Sequence, residues 1–95
     1  MKLEWSAFVV ADREAIFDYI EADSPRAAIA VDERIQECVE NLVDFPEMGR
    51  VGRVAGTREL VVTRTPYLAA YRIEGNAVQI LRLLHGSRQW PEDMP

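Results

Sequence analysis

Two stretches of the chain carry apolar residues at helical spacing, and three later stretches carry them at strand spacing. From Ser6 to about Ala22, Phe8, Ala15, Ile16, Tyr19 and Ile20 recur at helical intervals, while Asp12, Arg13, Glu14 and Asp18 fill most of the other face. Asp23-Ser24-Pro25 breaks this pattern. Ser24 suits the cap of a following helix, and Pro25 suits its first position, where the missing N–H costs nothing. The second helix is expected from Pro25 to about Asp44. Its apolar stripe is Ala28, Val31, Ile35, Val39 and Leu42, with Cys38 alongside as core filler, and Glu33, Glu37, Glu40 and Asp44 lie opposite. Two helices joined this closely predict an αα-hairpin. Phe45-Pro46-Glu47-Met48-Gly49 ends it.

The flanking segments read as strands. Lys2 to Trp5 is a short strand or an extended lead-in, and Arg50 to Gly56 is a loop or a short irregular strand. Three runs follow: Thr57 to Arg64, Tyr67 to Glu74 and Ala77 to His85, the last two joined by a Gly75-Asn76 hairpin turn. Val78, Ile80, Leu81, Leu83 and Leu84 are apolar on both sides, which predicts a central, twice-covered third run. The order β-α-α-β-β-β implies an α+β layer, a helix hairpin on one face of a small antiparallel sheet. The other face is expected to stay partly open and to carry arginines.

At 95 residues the chain is expected to form a single domain spanning 1–95, too small for a two-domain dinucleotide enzyme, a TIM barrel or a repeat array. Hydrophobic residues make up 48% and charged residues 28%, an ordinary globular balance. A lone cysteine, Cys38, excludes an internal disulfide and a cysteine-cluster metal site. No apolar run approaches the roughly 20 residues of a membrane span, and the start lacks the apolar core of a signal peptide. A cytoplasmic protein is expected, with no membrane partner, no metal and no cofactor.

The net charge of −5 argues against a dedicated nucleic-acid binder, and its distribution says more. Residues 1–47 carry Lys2, Arg13, Arg26 and Arg34 against twelve acids; residues 48–95 carry seven arginines and no lysine against four acids. Guanidinium forks grip carboxylate or phosphate in a bidentate way. Arg58, Arg64, Arg72, Arg82, His85 and Arg88 lie on or beside the three later strands, and Arg58 and Arg64 share strand parity. Were their faces to agree, guanidiniums and one imidazole would converge, a set able to stabilise phosphate and move a proton. The alternative is edge charges and a hydrogen-bonded strand-end histidine. There is no phosphate-binding glycine loop and no nucleophile elbow.

Gly56-Thr57-Arg58-Glu59-Leu60-Val61-Val62, Pro66-Tyr67 through Ala70-Tyr71-Arg72-Ile73, Ile80-Leu81-Arg82-Leu83-Leu84-His85 and Arg88-Gln89-Trp90-Pro91 resemble the ParE/RelE toxin superfamily of type II toxin–antitoxin modules. The helix-hairpin spacing fits the same family. The resemblance implies the β-α-α-β-β-β fold and a cognate antitoxin whose acidic or amphipathic C-terminal segment silences the toxin. It implies one of two activities. ParE-like members inhibit DNA gyrase; RelE-like members cut messenger RNA on the ribosome. RelE-like nucleases carry an arginine after the Gly/Pro-Tyr of the second meander strand, where this chain has Leu68, and a basic pair after the last strand, where it has His85-Gly86. With the acidic net charge, this places the chain closer to ParE-like members, with no catalytic residues and no direct nucleic-acid contact. In the nuclease alternative, Arg58, Arg72 and Arg82 would hold phosphate and His85 would serve as acid or base. A third reading is a domain that only binds its antitoxin. Contacts to antitoxin or target are expected from Arg58, Arg64, Tyr67, Arg72, Arg82, His85, Arg88 and Trp90, with Trp5 a further anchor or a core residue.

Overall fold

A computed structural model of the chain describes residues 1–87 and Trp90. Strand β1 (Lys2–Trp5) leads into helix α1 (Ala7–Glu21) and helix α2 (Pro25–Glu40), which tightens into a 3-10 turn over Asn41–Val43. Strands β2 (Arg50–Val51), β3 (Arg58–Val61), β4 (Tyr67–Glu74) and β5 (Ala77–His85) follow. Each helix starts where a serine can accept an otherwise orphaned N–H: Ser6 Oγ from Val9 and Ser24 Oγ from Ala27. Pro25 occupies the first turn of α2, as its fixed φ allows.

The two helices pack on one face of a five-stranded sheet of order β1-β5-β4-β3-β2. The sheet is mixed rather than wholly antiparallel, because β1 runs parallel to β5, with Leu3 opposite Val78 and Trp5 opposite Ile80. β4, not β5, is the central strand. The hairpin turn falls on Gly75-Asn76, with Gly75 left-handed at φ 59°. β3 stops at Val61, short of the expected Arg64, because Val62 to Tyr67 closes into a turn. Val62 N–H donates to Tyr67 O, and Thr65 bonds back to Val62 O.

The core lies between sheet and helices: Val9, Ile35, Val39 and Leu42 against Leu60, Ala69, Tyr71, Val78, Ile80 and Leu83. Cys38 is partly buried against it, as expected. The α2 stripe is buried as predicted, and the α1 face is borne out in part: Ile16 packs on the core as expected, but Phe8 and Tyr19 do not. Val9 and Ile16 turn inward, while Phe8 and Tyr19 are 58% and 67% exposed. An extra residue at Leu81 shifts the β4–β5 register, so that Leu83 rather than Arg82 joins the helix-side core. Arg13 ties the hairpin together, its Nε and Nη2 donating to the Asp32 carboxylate and its Nη1 to Gln36 Oε1.

Candidate functional site

Among the described residues, the arginines on and beside the three later strands do not gather into one cluster, and Arg58 and Arg82 are anchored to different elements. β1 ends opposite Ile80, so the edge of β5 beyond that residue lacks a strand partner. Helix α1 covers it. Ser6 Oγ donates to Leu81 O at 2.8 Å, and Leu83 N–H donates to Asp12 Oδ2 at 3.0 Å. Arg82 then grips the same carboxylate, Nε at 2.7 Å from Oδ2 and Nη2 at 2.9 Å from Oδ1. That hydrogen-bonded pairing holds the Arg82 pKa above its ordinary value.

Arg58 faces the helix layer. Its Nη1 donates to the carbonyls of Glu47 and Gly49, pinning the segment after α2. Beside it, the buried Tyr71 hydroxyl donates to Pro46 O at 2.7 Å and accepts from Gly49 N–H at 3.0 Å. Burial raises the Tyr71 pKa, and the Gly49 N–H bond only partly offsets it. Arg64 lies outside the strand, exposed in the β3–β4 turn with a left-handed φ of 62°, so the shared parity with Arg58 does not hold. Arg72 stands half-buried on β4, in register with Gln79. Arg88 lies outside the described residues.

The sheet face away from the helices is not an open arginine surface. Glu59, Leu68, Ala70 and Leu84 are buried. The Glu59 carboxylate, 3% exposed, accepts from Arg50 Nε and Nη2 and from the backbone N–H, Nε and Nη2 of Arg53. Burial pushes its pKa up, but the Arg53 and Arg50 bonds outweigh burial, and the net shift is downward. Arg53 in turn stacks over the Trp90 ring, 3.5 Å from its centroid.

Three of the sequence-predicted residues do meet. Tyr67 and His85 are register partners at the start of β4 and the end of β5, their rings edge-to-face with centroids 5.7 Å apart. With Trp90 they line a groove of about 370 Å³, closed on the helix side by Asp12, Ile16 and Tyr19. His85 Nδ1 accepts from Ser87 N–H at 3.2 Å and lies 2.9 Å from Ser87 Oγ. The α1 side of this groove was not anticipated from sequence. Its signal is an excess of apolar residues in α1: Phe8, Ala15 and Tyr19 are more than one core-facing stripe requires. Among the described residues, no group of three or more histidine, cysteine, aspartate or glutamate side chains could hold a metal ion.

Residues 3–90 match the family model described as the ParE toxin of the type II toxin–antitoxin system parDE. The chain belongs to the ParE toxin family. It is 40% identical to Y4kP of Sinorhizobium fredii over 91 residues, covering 96% of this chain and 94% of that one. It is 38% identical to Toxin RelE2 of Caulobacter vibrioides over 84 residues, 88% and 93% of the two chains. Among solved structures it resembles a chain of the chromosomal ParDE toxin–antitoxin system from P. aeruginosa, with a TM-score of 0.78 and 36% identity over 87% of this chain and 92% of that one. The YoeB/ParE toxin from Agrobacterium tumefaciens shares the fold, with a TM-score of 0.59 and 20% identity over 87% and 95%. The protein is therefore a toxin of a type II toxin–antitoxin system, with a cognate antitoxin as its partner. Among the described residues no helix is long and apolar enough to cross a membrane.

Proposed function

We propose that this ParE-family toxin acts in the cytoplasm by binding DNA gyrase and arresting replication, without chemistry of its own. The antitoxin silences it by covering its contact surface with an amphipathic segment. One observation carries the choice: three of the groups an RNA-cutting site would use, Arg58, Arg82 and His85 Nδ1, are engaged in separate structural contacts. Arg58 is spent on the Glu47 and Gly49 carbonyls, Arg82 on Asp12, and His85 Nδ1 on Ser87. A phosphoryl-transfer site needs preorganised cations converging where charge develops; held apart in this way, they favour a binding protein.

The contact surface in this reading is the Tyr67–His85–Trp90 groove with the exposed Phe8 and Tyr19 of α1 beside it, and Arg64 supplies an exposed guanidinium. Aromatic side chains with a polar end suit such anchoring. The alternative is a ribosome-dependent endoribonuclease using Arg58, Arg72, Arg82 and His85; its support is His85 itself, half-buried at the mouth of a groove. Purified toxin added to a gyrase supercoiling assay separates the two. The proposal expects supercoiling to fall with toxin and to return when antitoxin is added. Unaffected gyrase, together with cleavage of ribosome-bound messenger RNA, overturns it.

A further inference from the structure

A groove of about 640 Å³ lies where β1 meets the helix hairpin, away from the aromatic groove. Trp5, Val10 and Phe17 give it an apolar floor. Val10 remains 48% exposed, a large apolar residue with nothing over it. Arg13 crosses the floor, but it is no anion receptor: Asp32 and Gln36 occupy its Nε, Nη1 and Nη2, and its guanidinium lies 5.2 Å from the Trp5 ring centroid. Glu14 and Asp18 form the rim. They are exposed, one helical turn apart on α1, and neither makes an ion pair among the described residues. Two like charges at this spacing repel each other. Across the fold, Arg50, Arg53, Arg58 and Arg82 of the second half are already engaged, on Glu59, on backbone carbonyls and on Asp12, while most acids of the hairpin face solvent.

We propose that this groove seats a segment of the antitoxin that is basic and apolar together: a bulky apolar side chain on Trp5, Val10 and Phe17, and a lysine or arginine between Glu14 and Asp18. The proposal rests on the chain being neutralised by an antitoxin, not on gyrase being its target. Charge complementarity selects the occupant. An acidic segment or a nucleic acid would meet two unpaired carboxylates and no available cation. A basic one relieves their repulsion as it docks, and the field of the acidic hairpin steers its approach. The sign of the interaction is thus opposite to the one suggested by counting arginines in the second half of the chain.

The test is the rate and affinity with which the full toxin binds its cognate antitoxin, by surface plasmon resonance at low and high salt. Glu14→Lys/Asp18→Lys should slow association by about tenfold or more at low salt, and the loss should shrink as salt rises. Glu33→Lys/Glu37→Lys, an equal change of charge on exposed α2 residues outside the groove, should change the rate far less. Circular dichroism confirms that both variants fold, and a single lysine- or arginine-to-glutamate change in the antitoxin segment should restore binding to the first variant. Equal losses from the two pairs, no loss from the first, or failure of every such change to restore binding would each overturn the proposal. None of these outcomes depends on what the toxin inhibits.

Discussion

The Asp12 carboxylate and the Arg82 guanidinium meet as two parallel forks, 2.7 and 2.9 Å apart, where helix α1 crosses the edge of β5 that β1 leaves uncovered. Asp12 also accepts the Leu83 N–H, so one helical side chain does the work of a missing strand. Both side chains are mostly shielded, at 22% and 16% exposure for Arg82 and Asp12, so the pair is worth more than a surface ion pair. Asp12→Ala should cost about 2 kcal/mol and lower Tm by about 10 °C. Arg82→Ala should cost less, since the Leu83 N–H keeps its acceptor. Thermal unfolding followed by circular dichroism measures both.

Glu59 makes stability depend on pH. Its folded-state pKa lies below the ordinary 4.5, because five hydrogen bonds from Arg50 and Arg53 outweigh burial. A depressed carboxylate pKa contributes stability that is present above the unfolded value and is lost as pH falls through the folded one. Glu59→Gln should therefore destabilise the protein by about 2 kcal/mol at pH 7 and by much less in acid. Urea unfolding of both proteins between pH 7 and pH 3 checks this: the two stability curves should converge as pH falls.

Tyr71 joins the segment after α2 to the sheet through two bonds that nothing else replaces, Pro46 O and Gly49 N–H. Tyr71→Phe should cost about 1 to 2 kcal/mol by leaving both backbone groups unsatisfied. Gly49→Ala should be at least as damaging, because an added Cβ would stand 2.6 Å from the Tyr71 hydroxyl and 2.9 Å from Glu59 O. Urea denaturation midpoints measure both. Toxicity per folded molecule should be unchanged, since neither residue lies on the proposed contact surface.

In the proposed gyrase reading, Tyr67 and His85 act through contact rather than catalysis. Tyr67→Ala should weaken gyrase inhibition by about tenfold or more, as loss of an aromatic anchor does. His85→Asn, which keeps a polar side chain of similar reach, should weaken it only slightly, whereas a catalytic imidazole would tolerate no such change. Titration of each variant in the supercoiling assay reads the difference.

Much of this architecture can be read from local pattern. Ser24-Pro25 marks the start of α2, the Ala28–Leu42 stripe marks its buried face, and Gly75-Asn76 marks the hairpin. What cannot be read depends on partners distant in sequence. Four residues, Lys2 to Trp5, contain nothing that selects a parallel register on β5, some 75 positions away. Arg58 and Arg64 have equal parity, but a left-handed turn removes Arg64 from the strand, and inward-turned carbonyls at Glu47 and Gly49 hold Arg58. The bulge at Leu81 resets the alternation of β5, which the adjacent pairs Ile80-Leu81 and Leu83-Leu84 foreshadow. Glu59 has a plainer signal: it is the lone acid from Met48 to Ile73, and arginines at 50, 53 and 58 lead up to it. For the candidate site, Tyr67, His85 and Trp90 were recognisable one by one. Their meeting with Tyr19 was not, because it requires knowing that α1 lies across the β5 edge.

The most direct test of the central claim is pulse labelling of bacteria after this toxin is induced without its antitoxin, with thymidine and leucine incorporation followed side by side. A binding protein that arrests gyrase predicts that thymidine incorporation falls first, while leucine incorporation continues through the early minutes. A fall in leucine incorporation first would place the target in translation, make His85 and the arginines catalytic candidates, and contradict the account.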